Sequence, residues 1–216
     1  MSLGKENSID KRSSIIQIAT KLFGERGFED VSTRDIAQAA DVNIALISYY
    51  FKSKEGLFDA IVEERIPNFG NRIAEIKTMS LSSWQKLNLV FDEYIEKMMS
   101  NPDFNRIIYR QLTYSQRSPT TQRILIEIYK NKKSILDIFE EGKTNGEFRL
   151  NTDYRFVLFS FFSTLSTIIK SPSYTASMLG LESEQEIFEP YFKEKFKLFI
   201  RDFFYKFTIL ENKNQS

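Results

Sequence analysis

STRDIAQAADVNIALISYYFKSKE, residues 32–55, reads as a capped helix, a tight turn, a second helix and a basic exit. Ser32 stands as an N-cap with Asp35 three residues on, a capping-box variant in which each side chain satisfies an orphan backbone N–H. The inward face of this first helix is Ile36, Ala37 and Ala40. Small residues suit it, because two helices crossing steeply after a short turn must approach closely. Asp41 falls where the chain must turn; glycine would turn more easily, but Asp tolerates the left-handed region better than most residues. Asn43 is placed to cap the second helix, whose buried side is Val42, Leu46 or Ile47, and Tyr50 with Phe51. Ile44, Ala45, Ser48 and Tyr49 are left near the outer face. This is a helix-turn-helix, laid out for a DNA major groove.

Upstream, Ile15, Ile18, Ala19, Leu22 and Phe23 recur at helical spacing and form one apolar stripe. Gly27 ends that helix, and Phe28 after it is placed to fold back on the helix end. The expectation is a three-helix unit with a small core.

The stretches Ile15 to Phe28 (IIQIATKLFGERGF), Thr33 to Val42 (TRDIAQAADV) and Tyr49 to Phe58 (YYFKSKEGLF) resemble the N-terminal domain of TetR-family transcriptional regulators. The resemblance covers roughly the first quarter of the chain; the remainder is compatible with the family and carries no comparable signature. It implies a repressor that binds a pseudopalindromic operator on double-stranded DNA as a homodimer and is released by a small-molecule effector. By similarity the recognition helix runs from about Asn43 to Phe51, with Ile44, Ala45, Leu46 and Tyr49 nearest the DNA. Tyr49 is the favoured phosphate contact and Lys54 the next, with Arg34 and Lys52 as further backbone candidates and Asn43 and Ser48 on the same surface. Ile44 and Ala45 offer bases only apolar contact, for instance to thymine methyls. Asp41 replaces the family's common turn glycine, Ala45 another frequent glycine, and Ser48 a frequent tyrosine, which puts more of the phosphate contact on Tyr49.

Charge alone does not point to DNA. The chain has 30 Lys plus Arg against 29 Asp plus Glu, and Glu25, Glu29, Asp30, Asp35 and Asp41 lie in or beside the helix-turn-helix. Binding then depends on where a few basic groups point, which predicts a modest salt dependence. With no His and no Cys, imidazole acid–base chemistry, thiol nucleophiles, disulfides and the usual zinc ligands are excluded. No glycine-rich phosphate loop appears. Glu63 with Glu64 and Glu140 with Glu141 are adjacent on helices and diverge. No enzyme, cofactor or metal is expected.

The 216 residues suit an all-α chain: a DNA-binding domain over residues 1–52, then an effector-binding and dimerisation bundle over 53–216, about nine helices in all. Asn101-Pro102 and Ser118-Pro119 each place a capping residue before a proline suited to the first helical position; Gly142, Gly146 and Pro172 mark ends, and Ser53 caps a fourth helix linking the domains. Phe192, Phe196, Phe199, Phe203 and Phe207 form a seam on the last helix that calls for a partner helix. In the family the last two helices make a four-helix dimer interface, which here implicates Phe161, Phe162, Leu165, Phe192, Phe196, Phe199 and Phe203. The helices that surround the effector in similar proteins carry Trp84, Tyr94, Met98, Tyr109, Arg110 and Tyr114; with 20 Phe and 10 Tyr in the chain, a hydrophobic or aromatic effector is expected.

A surface-binding amphipathic helix is the membrane alternative for the last segment, but Glu189, Glu194 and Asp202 break its basic pattern. Phe156 to Ile169 is too short to span a bilayer. No signal-peptide pattern is read, and a cytoplasmic place without membrane contact is expected. The rival from another class is a helical adaptor that binds proteins through its Phe-rich C-terminal surface and shows no sequence-selective DNA binding.

Overall fold

The computed structural model describes residues 3–65, 67–114 and 119–209, with side chains described from residue 11 onward except at 65–68 and 114–118. In chain order the helices are α1 (Leu3–Arg26), α2 (Thr33–Ala39), α3 (Ile44–Phe51), α4 (Lys54–Arg65), α5 (Pro67–Thr78), α6 (Ser83–Ser100), α7 (Pro102–Tyr114), α8 (Pro119–Thr144), α9 (Tyr154–Lys170), α10 (Pro172–Leu179), a short 3-10 turn (Glu184–Phe188) and α11 (Pro190–Thr208). Prolines account for the excess over the expected nine: Pro67 opens α5 just after α4, and Pro172 opens the short α10. Among the described residues no β-strand forms, only an isolated antiparallel bridge between Phe148 and Ile209, and no helix is long and apolar enough to cross a membrane.

The chain divides into two compact units, residues 1–67 with 101–126, and residues 68–100 with 127–216. This division is drawn elsewhere than at residue 53, because α4 packs on α1 and α3, and α7 packs on α1.

In the first unit, Ile15, Ala19 and Phe23 of α1, Ile36 of α2, Ile47 of α3, and Leu57 and Ile61 of α4 are fully buried together. Gly27 takes φ +101° and donates its N–H to the Phe23 carbonyl at 2.9 Å, ending α1. The chain then doubles back, and the Phe28 ring lies 5.2 Å from Phe23 and 5.3 Å from Phe58. α7 runs so close to α1 that a Cβ on Gly24 would lie 2.9 Å from the Asp103 Cα.

The second unit is built on aromatic rings. Phe91 stacks on Phe204 at 4.3 Å and Phe139 on Tyr154 at 4.5 Å, while the Tyr154 hydroxyl donates to the Arg149 carbonyl at 2.7 Å. Gly142 sits inside α8 because the Phe148 ring occupies the space a Cβ would need. The first turn of α6 is capped from two sources. Ser82 and Gln85 satisfy each other's backbone N–H groups, and the Glu147 carboxylate accepts from Ser83 N at 3.1 Å and Trp84 N at 3.2 Å. An ionic ladder joins α6 to α11: Glu96 accepts from Lys193 at 2.6 Å and Lys197 at 3.2 Å, and Arg201 pairs with Asp92. Its hydrogen bond from Lys193, ahead of those from Ser100 and Lys197, holds the Glu96 carboxyl down at about 2.

The residues expected at the dimer face are divided by their burial within the subunit. Phe161, Leu165, Phe192 and Phe196 are buried within a single subunit, and Phe162 and Phe203 are half-buried. The buried row of α11 runs Phe192, Phe196, Ile200, Phe204 and Thr208, a strict four-residue spacing that leaves the phenylalanine seam after Phe196. Phe199 is thereby turned outward, 54% exposed, beside Tyr191 and Leu198.

Candidate nucleic-acid interface

Local chemistry sets the helix-turn-helix. The capping box closes in both directions, Ser32 N donating to Asp35 Oδ2 at 2.8 Å and Asp35 N to Ser32 Oγ at 3.1 Å. The Ser32 hydroxyl and then its backbone N–H hold the Asp35 carboxyl below its ordinary range. At the turn, Val42 N donates to the Ala37 carbonyl at 3.0 Å, and Asp41 adopts φ +50°. Asn43 Oδ1 accepts from Ala45 N at 2.9 Å and caps α3. The open choice between Leu46 and Ile47 resolves to Ile47, which is fully buried with Phe51, while Leu46 is half-buried.

Outward from this core stand Ile44, Ala45, Ser48 and Tyr49. Tyr49 is 78% exposed, its ring edge-on at 5.2 Å to the half-buried Tyr50. Arg34, at the start of α2, and Lys52, just past α3, are exposed as well. Asn43 spends only its side-chain oxygen on the cap, so its amide donors remain on the surface. The face therefore offers apolar edges for thymine methyls, hydroxyl donors for phosphate and two flanking cations.

Lys54 is placed differently from the other candidates. Its ammonium donates to the Phe28 carbonyl at 2.9 Å and lies 4.4 Å from the centre of the Phe28 ring, tying the start of α4 to the loop after α1. Two further features had no sequence signal. Lys52 takes φ +68° while Ser53 N donates to the Phe51 carbonyl at 2.8 Å, a γ-turn of the rare positive-φ kind. Gly56, whose N–H donates to Ser53 Oγ at 3.1 Å, lies so close to the end of α3 that a Cβ there would fall 2.0 Å from the Phe51 carbonyl oxygen.

The effector candidates fall in both units. Trp84, Tyr94 and Met98 belong to the second unit, where Trp84 meets Tyr205 edge-on at 5.7 Å and Tyr94 touches the rings of Phe69, Phe161 and Phe162. Tyr109 and Arg110 belong to the first unit, with Arg110 laid over Gly27 at the end of α1. The Tyr114 side chain lies outside the described residues. An open groove of about 700 Å³ in the second unit is lined by none of these residues; it lies between α9, α10 and α11, among Thr167, Ile168, Tyr174, Met178, Phe196 and Phe199. Among the described residues no group of three or more carboxylates is placed to hold a metal ion.

A family model described as bacterial regulatory proteins, tetR family, matches residues 15–61, which span the helix-turn-helix and its supporting helices. The chain is similar over nearly its whole length to "Probable HTH-type transcriptional regulator YttP" of Bacillus subtilis: 31% identical over 201 residues, covering 91% of this chain and 95% of the relative. It is 28% identical over 160 residues to the fatty acid metabolism regulator protein of the same organism, covering 74% and 81% of the two chains. Its fold matches the solved ketosteroid transcriptional regulator KstR2 of Mycobacterium tuberculosis with a TM-score of 0.73 at 18% identity, over 93% of this chain and 95% of that one. The chain belongs to the TetR family of bacterial transcriptional regulators.

Proposed function

We propose that this regulator is a repressor which binds a pseudopalindromic operator as a homodimer, inserts α3 into the major groove and lets go when a hydrophobic effector binds. The observation that carries the DNA reading is Tyr49, 78% exposed on a helix whose opposite side, Ile47 and Phe51, is sealed into the core. A phenol held in water by a rigid scaffold costs apolar exposure that a phosphate contact repays in function. Arg34 and Lys52 flank it as backbone contacts, and Asn43, Ile44, Ala45, Leu46 and Ser48 complete the face. Lys54 serves this surface indirectly, by fixing where α4 begins.

The effector class rests on chemistry and likeness together. Half-buried Tyr94 and Met98, one turn apart on α6, are the contacts we retain for it. A relative is named for fatty acid metabolism and a structural neighbour for ketosteroids, both apolar molecules with a polar handle. The effector favours a dimer state whose recognition helices no longer fit both half-sites, and by linkage operator DNA weakens effector binding by the same factor.

Selection of bound sequences from a random duplex library tests the core of this proposal. A two-fold symmetric motif with half-sites about one DNA turn or slightly more apart is expected. No enriched sequence from folded, dimeric protein would favour the protein-binding adaptor instead.

A further inference from the structure

The outward face of α11 is self-complementary. Its buried row and its ionic ladder to α6 fix how the helix is rotated, which leaves Tyr191, Lys195, Leu198, Phe199, Asp202, Tyr205 and Lys206 exposed on one side, and the antiparallel register sets Lys206 against Tyr191 of the other copy. Along that side Lys195 and Asp202 stand at equal distances either side of the Leu198–Phe199 pair. Among the described residues neither has an ion-pair partner within the subunit: Lys195 only reaches over the Tyr191 ring, 5.9 Å away. A cation and an anion disposed this way around an apolar centre match a second, antiparallel copy of the same helix. Leu198 then meets Phe199 of the other copy, and each Lys195 meets an Asp202.

The adjoining surface of α9 is suited to being covered. Phe156 and Phe159 are exposed there, and the hydroxyls of Ser160, Thr164 and Thr167 are already satisfied by the carbonyls of Phe156, Ser160 and Ser163 at 2.9 Å each. Burying those residues strands no donor. The groove between α9, α10 and α11 continues the same apolar surface past Tyr174 and Met178.

We infer that two copies of this chain pair through α11 about a two-fold axis at Leu198 and Phe199, and that reciprocal Lys195–Asp202 pairs set the register and select self over other partners. The inference rests on the homodimer proposed above and adds its pairing rule. With a rise of about 1.5 Å per residue, each charged residue lies only about 5 Å along the helix from the axis. The pairs therefore stay within reach over the ordinary range of helix crossing angles. A two-fold interface uses one patch twice, so every charge error is also made twice.

Sedimentation velocity on the full chain and on three charge variants tests this. Lys195→Glu alone and Asp202→Lys alone each set like charges against each other at both pairs, and should raise the protein concentration at half-dimerisation at least about tenfold. Mixing those two single variants should restore dimers, all of them mixed. In a mixed dimer the introduced glutamate meets the introduced lysine at one pair, and the unaltered Lys195 meets the unaltered Asp202 at the other. The double variant Lys195→Glu/Asp202→Lys should again pair with itself. Circular dichroism identical to that of the unmodified chain confirms that these exposed positions leave the fold intact. If the unmodified chain is dimeric and the single variants dimerise equally well, or their mixture does not pair, the register is overturned while the homodimer stands. If the unmodified chain stays monomeric at tens of micromolar, the homodimer itself fails.

Discussion

The Lys54 ammonium donates to the Phe28 carbonyl at 2.9 Å and lies over the Phe28 ring at 4.4 Å, across 26 residues of sequence. The first residue of α4 thus holds the loop that follows α1, and the ring it covers also packs on Phe23 and Phe58. A lysine that sequence reasoning sends to the DNA backbone also ties the scaffold together.

Replacing Lys54 with Met keeps the stem and removes the charge. Stability should fall by about 1 kcal/mol, the worth of one partly exposed charged hydrogen bond with its ring contact. The slope of log affinity against log salt should stay unchanged. A slope reduced by about 0.9 would place Lys54 on a phosphate after all.

Tyr49→Phe removes one exposed hydroxyl and nothing from the core. The melting temperature should not move, while affinity for a selected operator, read by fluorescence anisotropy, should drop by roughly fivefold, equivalent to about 1 kcal/mol. Unchanged affinity would remove Tyr49 from the interface.

Lys52→Gly separates folding from binding. Relief of the positive φ exceeds the entropy glycine adds to the unfolded chain, for a net gain of up to about 1 kcal/mol in denaturant titrations. The same change deletes an exposed cation, so the salt slope should shrink by about 0.9. Greater stability with weaker, less salt-sensitive binding is the expected pair of results.

Gly56→Ala forces a methyl against the Phe51 carbonyl oxygen, and the start of α4 must move away from the end of α3. A loss of about 2 kcal/mol is expected, with operator affinity falling in parallel because α3 is no longer held in place.

Glu96 gives a pH signature. Its carboxyl falls from an ordinary 4.5 to about 2 in the folded chain, chiefly through the hydrogen bond from Lys193. A depressed carboxylate stabilises the folded state fully above the unfolded value, and the contribution is lost as pH falls through the folded one. The melting temperatures of the unmodified chain and Glu96→Gln should therefore differ at pH 7, converge below about 4.5 and meet near 2. A gap that is constant with pH would show that Glu96 acts through packing alone.

What the sequence made legible was what neighbours in the chain decide. Ser32 with Asp35, Asn43, Ser53 and Gly27 each act within four residues, so their caps and stops could be read directly and are found in place. Tyr49 was legible for the same reason, as an outward position on a short helix with an evident inner face. Lys54, Gly56 and the packing of α7 on α1 depend on residues brought together by the fold, and carry no local mark. The phenylalanines of α11 show the limit most clearly. Phe196 and Phe199 share a seam in sequence, yet one is buried and the other exposed, because Ile200 and Phe204 continue the buried row past Phe196, in the rotation that also lets Lys193, Lys197 and Arg201 reach α6.

The double cap on α6 bears on the order in which the molecule assembles. Ser82 and Gln85 can close their half of the first turn as soon as that segment is helical, within nanoseconds to microseconds. Ser83 N and Trp84 N take their acceptor from Glu147, in the loop that follows α8, so their half of the cap needs a non-local contact. That contact spans 64 residues, so its loop-closure entropy is met late on the folding path. The first turn of α6 is therefore expected to act as a latch, open to hydrogen exchange at Ser83 and Trp84 until the segment that carries Glu147 has docked.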